Sequence, residues 1–103
     1  MMQIVTADNG DSDTINIRTG ESLDFSTCGM VTHVCNLAKH PQIRYVVIDL
    51  GNTKHIRDSG LAMLILLRQR IRKLVWQITI VNCKPELKNR LSVSSLTTAF
   101  QFA

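Results

Sequence analysis

The run HIRDSGLAML, residues 55–64, places a serine hydroxyl among a histidine, an arginine and an aspartate, directly before an apolar stretch. Ser59 with His55 and an aspartate has the residue types of a hydrolytic triad. The sharp Gly-x-Ser-x-Gly elbow that would expose such a nucleophile is absent, because Arg57 holds the first glycine's place. His33, His40 and His55 could join Cys35 around a metal, but no pair has the usual ligand spacing. Gly51 and Gly60 are too far apart to form a phosphate-cradling loop, and no Gly-Lys-Ser/Thr follows a strand. The residues therefore predict no enzyme, no metal and no cofactor. Two roles remain for Ser59. Its oxygen can cap a helix. It can also accept a phosphate, which a helix start favours through its free N–H groups and positive dipole end.

The elements that must position this run follow from its periodicities. Ile4–Ala7 and the alternating Thr14–Arg18 read as two strands, able to pair as a hairpin across the polar turn Asp8–Asp13. Asp24 or Ser26 can cap a helix whose apolar positions are Met30, Val31, Val34, Leu37 and Ala38, with Pro41 as its stop. Tyr45–Leu50, rich in β-branched residues, predicts a strand buried on both faces. A loop carrying His55, Arg57 and Asp58 leads to a helix from about Gly60 to Leu74. Ile78–Val81 predicts another buried strand, and Pro85 opens a helix through about Val93. The tail holds Leu96, Phe100 and Phe102, enough apolar surface to dock. Strands alternating with helices predict an α/β domain with helices on a mixed sheet of four to five strands. The Ser59 loop would lie at the carboxyl edge of Tyr45–Leu50, where sites form in open α/β sheets.

Stepping 100° per residue along the Ser59 helix puts Met63, Leu64, Leu67, Ile71, Leu74 and Val75 on a core face. Arg68, Gln69, Arg72 and Lys73 mark the solvent side, yet Ala62, Ile65 and Leu66 fall there too. This surplus apolar surface beside Ser59 suits a partner, or else a covering loop or tail. Arg68, Arg70, Arg72 and Lys73 spread over a wide arc without interleaved aromatics, so they read as a solvated face, and no nucleic acid is expected as a partner.

Composition agrees with one compact unit. The chain has 103 residues, 45% hydrophobic and 19% charged, so a core is affordable and disorder is excluded. Aromatics make up 5%, leaving Val, Ile and Leu to build that core. A formal net charge of +4 does not by itself identify an anionic partner. Cys28, Cys35 and Cys83 are odd in number and scattered, so a disulfide framework is not predicted. Cys28 and Cys35, seven apart, could pack on one helix side. The start lacks a signal-peptide pattern, and the longest apolar run, Leu61–Leu67, is far too short to insert into a membrane. A reducing cytoplasm is the expected compartment.

The segment VVIDLGNTKHIRDSGLAMLILL (46–67) resembles the central signature of STAS domains of the anti-sigma factor antagonist type. In that signature a buried strand ends in Asp-Leu, and a short loop leads to Asp-Ser-Ser/Thr/Ala-Gly-Leu at a helix start. TGESLDFST (19–27) resembles the segment before the family's first helix, with one extra residue, and ITIVNCKPELKNRL (78–91) resembles its next strand and helix. The resemblance covers roughly residues 13–100 and implies a single STAS-like domain over 1–103.

By resemblance, Ser59 stands at the position commonly phosphorylated in bacterial regulators of this family, and Asp24 stands near it. Arg57 replaces the usual Asp and Asp58 the first Ser of the motif. The resemblance implies a cytoplasmic, non-enzymatic partner-switching protein in bacterial signal transduction and transcription regulation. Unphosphorylated, it would bind an anti-sigma factor or a switch-type serine kinase of the ATPase-kinase class. Phosphorylation of Ser59 would release it, and a PP2C-type serine phosphatase would reset it. The partner surface implied is Asp24, Arg57, Asp58, Ser59, Gly60, Ala62, Ile65 and Leu66. The alternative within the same resemblance is a STAS subunit of a membrane-associated lipid transport or other regulatory assembly, with Ser59 only a contact residue. The sequence thus makes Ser59, and not Ser92, Ser94 or Ser95, the expected principal phosphate acceptor. Site mapping by mass spectrometry after incubation with the cognate kinase and ATP checks this, and phosphate mainly on the C-terminal serines would refute it.

Overall fold

A computed structural model describes residues 3–6, 13–92 and 100–102. The elements in order are β1 (Gln3–Thr6), β2 (Thr14–Arg18), β3 (Ser22–Leu23), a 3-10 turn (Phe25–Thr27) and α1 (Cys28–Ala38). They continue with β4 (Tyr45–Asp49), β5 (His55–Ile56), α2 (Asp58–Ile71), β6 (Gln77–Val81), α3 (Pro85–Ser92) and β7 (Gln101–Phe102). Five strands form one sheet in the order β1-β2-β4-β6-β7, and β3 pairs with β5 in a small second sheet. β1 and β2 are antiparallel, the expected hairpin pairing. The other neighbours run parallel, so each pair needs a crossover, and α1 and α2 provide two of them.

Register explains the core. Ile15, Val46 and Ile78 lie side by side across β2, β4 and β6, as do Ile17, Ile48 and Ile80, and all six are buried. Successive side chains alternate between faces, so these rows share the face covered by Met30, Val31 and Val34 of α1 and Leu64, Leu67 and Ile71 of α2. The expected burial of both faces of Tyr45–Leu50 is not met. Tyr45, Val47 and Asp49 are only half-buried, alternating with buried Val46 and Ile48. An uninterrupted apolar run records β-propensity but not how completely each face is covered.

Helix boundaries differ from the sequence reading for identifiable reasons. α2 begins at Asp58, two residues before Gly60, with Arg57 in extended conformation as its N-cap. It ends at Ile71, and Leu74 and Val75 both donate to the Ile71 carbonyl in a closing turn. Leu74, expected on the core face, is therefore 43% exposed, because the 100° step no longer applies past the helix end, while Val75 stays buried. Asp24 acts one turn earlier than expected: it caps the 3-10 turn, and Thr27 holds the N-cap position of α1. Asn82 ends β6 with φ 57°, a left-handed conformation that asparagine tolerates. Phe100 is buried and β7 joins the sheet beside β6, so the tail does dock. Leu96 and Val93 lie outside the described residues.

Gly60 makes α2 fit. A side chain there would meet the backbone carbonyl of Leu23 head-on and come within 2.8 Å of Leu23 Cβ. Gly29 in α1 has open space around the same position. Gly60→Ala should therefore cost about 1–3 kcal/mol through overpacking. Gly29→Ala should leave stability unchanged or raise it by up to about 1 kcal/mol through helix propensity. Urea denaturation of both variants checks the pair, and equal stabilities would show that the α2 entry is not held by this contact.

Candidate functional site

The site is built on a buried polar joint at the carboxyl edge of the sheet. Thr19 and Thr53 are buried and their hydroxyls bond to each other. The Thr53 hydroxyl donates to the Gly20 carbonyl at 2.7 Å. Its oxygen is thus left to accept from the Thr19 hydroxyl, whose Oγ1 also lies 3.2 Å from the Asp49 carbonyl oxygen. The Thr19 amide donates to that same carbonyl at 3.1 Å. Asp49 Oδ1 takes the Gly51 amide at 2.8 Å and Asn82 Nδ2 at 3.1 Å, tying the end of β4 to the end of β6. These bonds fix the 51–54 loop against the chain leaving β2. β5 is thereby set beside β3, with Ser22 opposite His55 and Leu23 opposite Ile56.

From β5 the backbone turns into α2. The Arg57 amide donates to the Leu23 carbonyl at 2.9 Å, and the Arg57 carbonyl accepts the first α2 bond, from Leu61, at 3.0 Å. The Arg57 side chain makes no cap bond and lies exposed. Ser59 is consequently not a cap. It is the second residue of α2, half-buried, and among the described residues its hydroxyl has no hydrogen-bond partner. It stands in a first turn whose N–H groups lack intrahelical acceptors. Among the described residues no hydrogen bond joins it to His55, which lies exposed on β5.

Asp24 follows Leu23 directly, so the strand pair that seats Gly60 also brings this carboxylate toward Arg57. Its Oδ1 accepts from the Ser26 hydroxyl at 2.5 Å and the Ser26 amide at 2.9 Å. These two bonds, helped by the Arg57 charge, hold the carboxyl below its ordinary range, and it is ionised at neutral pH. Asp58 is paired in another direction. Arg90 of α3 reaches it through Nη2 at 2.6 Å while donating Nε to the Ile56 carbonyl at 2.5 Å. Between this pair and the 54–57 segment lies an open basin of about 650 Å³, lined by Lys54, His55, Arg57, Glu86 and Arg90 among others.

The apolar surface beside Ser59 is uneven. Ala62 is exposed, whereas Ile65 and Leu66 are half-buried and pack against the core. Phe25, which the sequence reading passed over, is 66% exposed on the 3-10 turn that packs against α2. The available signal was its place directly after Asp24, in a capping turn with no core-facing periodicity. Cys28 and Cys35 do not share an environment: Cys28 is exposed, while Cys35 is buried and its thiol is pushed up by that burial. Among the described residues no group of three or more His, Cys, Asp or Glu side chains could hold a metal ion, and no helix is long and apolar enough to cross a membrane.

The same architecture recurs in known proteins. The anti-sigma factor antagonist SpoIIAA in its unphosphorylated form matches with a TM-score of 0.74 at 10% identity, covering all of this chain and 87% of that one. RsbS of Moorella thermoacetica matches with a TM-score of 0.80 at 17% identity, over 99% and 85%. Part of the murine Solute Carrier 26 family member A9 anion transporter matches with a TM-score of 0.69 at 16% identity, over 84% of this chain and 14% of the transporter. In sequence, a STAS-domain containing protein of Pseudomonas aeruginosa is 35% identical over 60 residues. That match spans 58% of this chain and 59% of the relative's length. These structural likenesses establish the fold, and the family model of the STAS domain matches residues 7–103. With its β3–β5 joint and its helix starting at Asp58-Ser59-Gly60, the chain belongs to the STAS domain family.

Proposed function

We propose that this protein is a phosphorylation-regulated partner switch that works by binding and catalyses no reaction itself. The observation that carries the reading is the Ser59 hydroxyl, unpartnered among the described residues, in the first turn of α2, with Ala62 exposed on the same helix and Phe25 exposed on the 3-10 turn packed against it. In the unphosphorylated state this corner binds an anti-sigma factor or an ATPase-class serine kinase. Transfer forms a bond from Ser59 Oγ to the γ-phosphorus of ATP and breaks the bond to the β-phosphate oxygen. ADP leaves and the kinase's base takes the hydroxyl proton. A serine phosphatase of the PP2C type reverses the state by hydrolysis. The fold tolerates the phosphate because it meets free N–H groups and the positive end of α2. The partner does not, because about 1.5 to 2 added negative charges must be desolvated against an apolar contact. A hundredfold loss corresponds to about 2.7 kcal/mol. The likeness to SpoIIAA, a protein also solved in a phosphorylated form, supports this reading.

A second reading is a STAS module of a membrane-associated assembly, such as a lipid transport complex, in which Ser59 is only a contact. The likeness to part of an anion transporter favours it. Pull-downs with wild type, Ser59→Ala and Ser59→Asp separate the two. The switch expects an ATPase-type kinase with the first two baits and its loss with the third. A transporter ATPase held equally by all three would replace the first reading by the second.

Two variants probe the corner itself. Arg57 serves the fold through its backbone, so Arg57→Ala should leave the melting temperature nearly unchanged and alter partner affinity or phosphate turnover through the lost charge-assisted bond to the phosphate. A large thermal loss with unchanged binding would reverse that assignment. Phe25→Ala should melt normally and weaken capture of the kinase at least tenfold, about 1.4 kcal/mol, whereas Leu64→Glu in the core should unfold the domain. Calorimetric binding and thermal melts distinguish these results, and full-strength binding by Phe25→Ala would remove it from the interface.

A further inference from the structure

A phosphate on Ser59 would sit beside a carboxylate of this chain's own. Asp58 and Ser59 are consecutive in the first turn of α2, so their side chains leave the helix about 100° apart at its positive end. The Asp58 carboxylate is not left alone, however. Arg90 reaches across from α3 and donates Nη2 to it at 2.6 Å, with its own position fixed by the Nε bond to the Ile56 carbonyl. An arginine fork has five N–H donors, and these two bonds use only two of them. The pair lies on the surface, with the Asp58 side chain 97% exposed, so it contributes little to folding in itself. It does change the field at the start of α2. Without Arg90, the charged groups of the basin at the α2 start would be the carboxylates of Asp58 and Glu86 against Lys54 and Arg57, with His55 on β5 and Asp24 within reach of the Arg57 charge.

We propose that Arg90 is a charge-compensating residue for modification at Ser59: it neutralises Asp58, so that a phosphate dianion can occupy the α2 start. This inference rests on the partner-switch reading and specifies how this chain balances the charge of its switch. It makes Arg90 a positioning residue, acting through Asp58, and assigns a regulatory contact to α3.

The test uses the full chain with phosphoserine installed at position 59 by genetic encoding, so its outcome does not depend on any kinase. Phosphorus NMR follows the second ionisation of the phosphate, ordinarily near pH 6. Loss of the Arg90 positive charge beyond Asp58 should raise that pKa at low salt, and high salt should shrink the rise. Arg90→Ala is expected to show this rise and to lower the melting temperature of the phosphorylated protein more than that of the unphosphorylated one. Arg90→Lys, which keeps the charge, should restore most of both. Adding Asp58→Asn to Arg90→Ala should return the titration toward the parent value, because the uncompensated carboxylate is gone. Equal thermal losses in the two states with an unmoved phosphate titration would overturn the proposal and leave Arg90 a strut for the Ile56 turn. If the titration responds as expected but the cognate kinase never modifies Ser59, the partner-switch reading fails and the charge compensation stands.

Discussion

One backbone carbonyl carries the site. The oxygen of Leu23 receives the Arg57 amide, and the absence of a side chain on Gly60 lets α2 approach that same residue. Any bulk at position 60 would push the helix start away from β3, and with it Ser59, Ala62 and the entry angle of the apolar face. The buried hydroxyls of Thr19 and Thr53 make this approach possible. Buried polar groups must find partners, and these two find each other and the backbone at Gly20 and Asp49. The small β3–β5 sheet is therefore a bracket between the main sheet and α2.

On that bracket the charges are arranged in two directions. Asp24 is held by Ser26 on one side of the α2 entry, and Asp58 is held by Arg90 on the other. Arg57 lies exposed between them, with its backbone engaged and its side chain making no cap bond. Such a layout suits a surface that changes charge. The acids beside Ser59 are already committed to donors, and a further anion would meet a cation and open amides instead of a second unpaired carboxylate.

The exposed aromatics divide the molecule's surface. Phe25 is exposed on the 3-10 turn that packs against α2. Trp76, 70% exposed at the start of β6, lies at the opposite sheet edge. There the Arg44 guanidinium covers its ring at 4.7 Å and Tyr45 meets it edge-on. One large apolar side chain is left open at the turn against α2, while the other is partly occupied by its own neighbours.

The sequence by itself determined the succession of the longer elements, but not the two-residue strands β3 and β5, the 3-10 turn or the strand in the tail. Alternation in Thr14–Arg18, the β-branched runs at 45–50 and 78–81 and the 3.6-residue spacing after Gly60 are local signals, and local signals survive without knowledge of contacts. The Asp-Ser-Gly start of a helix after a strand was likewise readable, and it located the corner where Ser59 stands. Tertiary structure alone decided that Ser59 is the second helical residue and not a cap, because Arg57, held by its amide bond to Leu23, already supplies the carbonyl for the first α2 bond. It decided that Leu74 leaves the core, since the helix closes at Ile71. It also decided that Asp58 meets Arg90, 32 residues away, and that Phe25 faces outward. Each of these depends on where two distant segments cross. Periodicity encodes which face of an element is apolar, but not which residue of another element will stand opposite it.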